Sequence, residues 1–73
     1  MHKGILMAVL DKGEKLVMTD GTIWVVNPVD VEEASGWVPP VQITIDEKSS
    51  HKEYDYTLTN SESESAVTAL RRR

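Results

Sequence analysis

Apolar and polar residues alternate with the period of a half-buried strand over 41–46, where Val41, Ile43 and Ile45 point one way and Gln42, Thr44 and Asp46 the other. The stretch 54–59 repeats the pattern, with Tyr54, Tyr56 and Leu58 on one face. Residues 15–19 and 22–26 are two strand-forming runs separated by Asp20-Gly21, a strong short-range hairpin signal. The run 5–10 is apolar throughout and bounded by turn residues. It reads as a first strand buried on both sides, with a buried helix as its competitor. Residues 66–70 read as a last strand pairing with 54–59, against a helix over 63–72 that Ser and Glu could cap.

The connections fix the layout. Asp11-Lys12 suits a type I turn, with Gly13 in the left-handed position of a bulge, so 5–10 and 15–19 form a hairpin. A two-residue type I′ turn at Asp20-Gly21 pairs Thr19 with Thr22, Met18 with Ile23, Val17 with Trp24 and Leu16 with Val25. One face then carries Leu16, Met18, Ile23 and Val25, and the other Val17, Trp24 and Val26. Both faces are apolar, which predicts a sheet that curls and closes on itself. Asn27-Pro28 ends the third strand, and Asp30 to Gly36 leaves room for one short helical turn near 29–35. Trp37-Val-Pro-Pro40 is an extended bend, and 60–65 is a polar turn of Asn, Ser and Glu. The expectation is an all-β fold: a small antiparallel barrel, SH3-like or OB-like, of about six short strands in a single domain over 1–73, with 71–73 a disordered tail.

Composition narrows the functions. With 73 residues and no cysteine, the chain is one small domain without disulfides or thiolate metal ligands. The formal net charge of −4 argues against generic binding to nucleic acid phosphates. The longest apolar run, 5–10, is too short for a transmembrane helix or a signal-peptide core. Two readings of the compartment follow: cytoplasmic, or exported after loss of a leader.

The run Leu16-Val-Met-Thr-Asp-Gly-Thr-Ile-Trp-Val-Val-Asn-Pro-Val-Asp30, then Ser35-Gly-Trp-Val-Pro39 and the strand that follows, resembles a set of small uncharacterised bacterial proteins. Those share a Leu-x-x-Asp-Gly-Ser-x-Trp-x-Val pattern, a following Pro and Asp, and a second Trp before a strand. Asp20-Gly21, Trp24, Val26, Pro28, Asp30 and Trp37 match. Thr22 stands where Ser is usual, Val25 where an acidic residue is common, and Pro40 where Gly-Asp often follows. The resemblance implies a compact β domain and no particular activity.

Candidate chemistry is sparse. His2 and His51 are isolated, so no metal site or cofactor is expected. Ser49-Ser50-His51 lies in a polar loop that offers no rigid base or orienting group for a nucleophile. Asp46, Glu47, Glu53 and Asp55 are interleaved with Lys48 and Lys52 and read as a solvated charged hairpin. No catalytic residue is expected. Trp24 is expected to pack in the core. Trp37, at a bend beside two prolines, with Tyr54 or Tyr56, is the candidate exposed aromatic patch for a partner.

The expectation is therefore a non-enzymatic interaction module for a protein or glycan partner, monomeric or weakly dimeric through open sheet edges. The alternative is a nucleic-acid-binding barrel. It would need Lys3, Lys12, Lys15 and the arginines 71–73 to converge beside a Trp.

Overall fold

A computed structural model describes residues 2–49 and 53–72. Six strands, β1 (His2–Leu10), β2 (Lys15–Met18), β3 (Ile23–Val26), β4 (Val41–Asp46), β5 (Tyr56–Asn60) and β6 (Ala66–Arg72), form a closed barrel in the order β1-β2-β3-β6-β5-β4. Every neighbouring pair is antiparallel. Among the described residues, each strand pairs with a neighbour on both sides over at least part of its length.

The interior is filled by alternate side chains. Leu6, Leu16, Met18, Ile43, Leu58 and Val67 are essentially inaccessible to solvent, and Trp24, Val26, Val41, Ile45 and Ala69 join them. In a barrel this narrow, side chains from all strands meet at the axis and leave no channel.

The β2–β3 hairpin departs from the expected register. Val17 faces Ile23, Leu16 faces Trp24 and Lys15 faces Val25. Met18 N–H donates to the Thr22 carbonyl (2.9 Å) and Gly21 N–H to the Met18 carbonyl (3.0 Å). The loop thus holds three residues, and of these Gly21 alone has positive φ, +90°. That is the hairpin of a right-handed turn followed by a left-handed Gly, which needs only one residue with positive φ where type I′ needs two. Asp20 locks it by accepting from both Thr22 N–H (2.9 Å) and Thr22 Oγ1 (2.7 Å).

A one-residue slip sends every side chain of a strand to the other face. Trp24 and Val26 therefore point inward with Leu16 and Met18, while Ile23 and Val25 point outward. The observed register buries the indole, the largest apolar group available to it.

β1 is not buried on both sides. A bulge sets Met7 and Ala8 together opposite Val17, so the inward positions change from Leu6 to Val9 across it. Ile5, Met7 and Leu10 stay exposed on the outside, as does Leu70. The barrel closes because β4 and β6 complete the ring, not because its outer apolar face is covered.

The turns differ in detail. Asp11, Lys12 and Gly13 all have positive φ, so the β1–β2 connection is left-handed rather than a type I turn with a bulge. Glu14 N–H donates back to the Asp11 carbonyl (3.3 Å). After β3, a 3₁₀ turn (Pro28–Asp30) runs into α1 (Val31–Ser35), where the helical turn was expected. Asp30 does not cap it through its side chain, because its Oδ2 accepts from Thr68 N–H (3.0 Å) and Thr68 Oγ1 (2.8 Å) on β6. Gly36 ends the helix at φ −86°, in the right-handed region. Residues 66–70 are strand, and the strand continues through Arg71 and Arg72, which pair with Trp24 and Ile23. Those two arginines are part of the barrel, not of a disordered tail.

Candidate site at the open mouth of the barrel

Antiparallel order gathers five chain segments at one end of the barrel: the start of β1, the β2–β3 turn, the end of β4, the start of β5 and the end of β6. The other end receives α1 and the turns between β1 and β2 and between β5 and β6. These ends are chemically different.

The far end is plugged. Ala34 of α1 is fully buried, and α1 packs on the first turn so closely that a Cβ on Gly13 would lie 2.5 Å from the Val31 carbonyl oxygen. Trp37 is only 5% exposed and belongs to the core. Its indole N–H donates to Ser65 Oγ (2.9 Å) in the β5–β6 turn. A buried indole needs such an acceptor, and the serine-rich turn supplies it. The expected exposed patch with Trp37 is thereby overturned: Trp37 and Tyr56 lie at opposite ends, and Tyr54 lies half-buried just ahead of β5.

At the mouth, the inward-facing series turns from apolar to polar strand by strand. Gly4 gives way to His2 on β1, Trp24 to Thr22 beside β3, and Ala69 to Arg71 on β6. Leu58 gives way to Tyr56 on β5, and Ile45 is followed two residues on by Glu47. A cavity of about 280 Å³ opens there, with Trp24, Tyr56 and Ile45 in its wall and Asp20, Lys3 and Arg71 around it. Its size sits just below the range of small-molecule pockets, so it admits one side chain or one ring rather than a long segment.

Trp24 and Tyr56 form the aromatic part, meeting edge to face with centroids 5.0 Å apart at 77°. Trp24 Nε1–H donates to Thr22 Oγ1 (3.2 Å), whose own hydroxyl donates to Asp20. The two Thr22 hydrogen bonds, with the Arg71 charge nearby, hold the Asp20 carboxyl below its ordinary pKa. Across the mouth, His2 Nε2 stands 3.9 Å from Glu47 Oε1, both largely exposed, a pairing that contributes little to stability.

Of the residues expected to meet a partner, only Tyr56 lines this cavity. Trp24, Thr22, Asp20 and Arg71 were missed, and the signal for them was the polar end of each inward-facing series, visible only once the β2–β3 register is right. Ser50, His51 and Lys52 lie outside the described residues, so the expectations for the Ser-Ser-His segment and for part of the charged loop fall there too. The basic residues do not gather: Lys12 and Lys15 are at the plugged end, Lys3 and Arg71 at the mouth. Among the described residues no three His, Asp or Glu side chains are grouped to hold a metal ion, and no helix is long and apolar enough to cross a membrane. Comparison with protein-family models, with curated proteins and with solved structures found no significant match to this chain.

Proposed function

We propose that this protein is a non-enzymatic interaction module that receives part of a protein partner in the mouth of its barrel. The observation that carries the reading is the asymmetry of the two ends. The interior is sealed by α1 and Trp37 at one, while at the other Thr22, Asp20, Glu47 and Arg71 stand around an aromatic wall of Trp24 and Tyr56. Barrel mouths are a recurrent place for ligands because the scaffold holds loop and strand-end groups rigidly around a concavity.

A protein partner suits the mouth better than a glycan. A sugar ring needs an open aromatic face, and Trp24 is 3% exposed and packed edge to face with Tyr56. The non-enzymatic part of the reading rests on the hydroxyl that comes nearest to a nucleophile. Thr22 donates to Asp20, and a carboxylate with a lowered pKa is a weak general base. The scattered lysines and buried tryptophans give the nucleic-acid alternative no surface on which to stack bases along a basic groove.

Chemical-shift mapping of the ¹⁵N-labelled chain against a panel of N-acetylated amino acids and a single-stranded oligonucleotide tests the reading. The expected result is a response at Thr22, the Trp24 indole and Tyr56 to some members of the panel, with none to the oligonucleotide. Responses confined to the outer face, at Met7, Leu10 and Leu70, would remove the mouth from consideration.

A further inference from the structure

Resting on the reading of the mouth as a binding site, we infer that the group it selects is a peptide carboxylate, held by Arg71. The argument is one of hydrogen-bond supply and demand inside the cavity. Asp20 Oδ1 already accepts two hydrogen bonds from Thr22, and the Trp24 N–H and the Thr22 hydroxyl are spent on each other and on Asp20. Glu47 lies beside His2. The Arg71 guanidinium has five N–H donors, and among the described residues it forms no hydrogen bond or ion pair.

Its placement is set by the sheet. Arg71 pairs with inward-facing Trp24 and follows inward-facing Ala69 by two residues, so it belongs to the series that points into the mouth. Arg71 and the Lys3 ammonium are thus the unspent donors of the cavity, and of the two only Arg71 presents them as a planar fork. A carboxylate fits such a fork with two parallel hydrogen bonds.

Charge decides against a more highly charged anion. Lys3 and Arg71 are balanced by Asp20 and Glu47 around the same cavity, so a phosphate dianion would meet no net positive field. A single negative charge meets the same neutral surroundings but loses less hydration than a dianion, a loss that two hydrogen bonds to Arg71 can offset. The volume of about 280 Å³ leaves room beside that carboxylate for one apolar side chain against Tyr56 and Ile45. A peptide's C-terminal residue and an internal acidic side chain both present this chemistry.

The test titrates three probes into the ¹⁵N-labelled full chain: N-acetyl-leucine, its amide, and N-acetyl-aspartate amide. N-acetyl-leucine is expected to shift the Trp24 indole N–H and the Arg71 Nε–H, and its amide to bind at least about tenfold more weakly, the loss expected for a charge-assisted pair. Arg71→Gln is expected to abolish that tenfold preference with an unchanged circular dichroism spectrum, and Arg71→Lys to keep only part of it. N-acetyl-aspartate amide matching N-acetyl-leucine would assign the carboxylate to an acidic side chain, and weaker binding would assign it to a chain end; both support the inference. If the amide shifts the mouth as strongly as the acid, carboxylate selection is wrong and the mouth remains a site. If no probe moves the mouth, both readings fall.

Discussion

The indole of Trp24 and the ring of Tyr56, brought together by β3 and β5 across β6, meet edge to face at a centroid distance of 5.0 Å. This contact joins the apolar core to the polar mouth. Such pairs contribute about 0.5–1.5 kcal/mol beyond the area they bury. A double-mutant cycle of Trp24→Leu and Tyr56→Leu, followed by urea unfolding, is expected to return a coupling energy in that range. Strict additivity would mean that the rings merely fill space side by side.

Gly13 and Gly21 both have positive φ, at +102° and +90°, yet their surroundings differ. A Cβ on Gly13 would lie 2.5 Å from the Val31 carbonyl oxygen and 2.7 Å from the Ser35 nitrogen, both backbone atoms of α1. A Cβ on Gly21 would meet nothing within 4 Å. Gly21→Ala is expected to cost only the left-handed backbone term, about 1–2 kcal/mol. Gly13→Ala bears that term and must also push α1 off the barrel end, for a total above about 3 kcal/mol. In a domain this small that is a large share of a total stability near the low end of about 5–15 kcal/mol. Equal losses for the two variants in thermal or urea unfolding would show that α1 moves aside freely.

The alternation over 41–46, the hairpin at Asp20-Gly21 and the short helical turn after Pro28 were legible because each depends on neighbours in sequence. What escaped depends on contacts between distant elements. The β2–β3 turn could be closed by two residues or by three, and local residues permit both. The choice turns on whether Trp24 or Ile23 enters the core, which the ring of six strands decides. Trp37 looked exposed because it sits at a bend beside prolines. Its burial requires a hydroxyl from Ser65, 28 residues away, in a segment whose composition suggested only a solvated turn. Arg71 and Arg72 looked like a tail because charge at a terminus is usually solvated, and only pairing with β3 draws them into the sheet.

Thr68 gathers the crossover onto β6. Its hydroxyl donates to Asp30 Oδ2 (2.8 Å) and accepts from Asn27 Nδ2 (3.0 Å), and Asn27 is 3% exposed. Thr68→Val keeps the shape and the strand preference but strands the buried Asn27 amide without its acceptor. The expected loss is about 1–3 kcal/mol in urea unfolding, with Thr68→Ser recovering most of it. A neutral Thr68→Val would indicate that water replaces the hydroxyl at this site.

Asp20 ties stability to acid. The Thr22 side-chain and backbone hydrogen bonds favour its ionised form, and the Arg71 charge adds to them, so its pKa in the folded chain lies below the ordinary 3.8. A carboxyl depressed on folding contributes stability that is complete above its unfolded pKa and is lost as pH falls through the folded one. The urea midpoint of the native chain is therefore expected to drop as pH falls through and below the ordinary carboxyl value of 3.8, with part of that slope due to Asp20. Asp20→Asn retains an oxygen that accepts from Thr22 but cannot titrate, so its midpoint is expected to fall less steeply over the same interval. Parallel profiles for the two chains would mean that Asp20 titrates alike in the folded and unfolded chains, so that its hydrogen bonds to Thr22 do not favour the folded state.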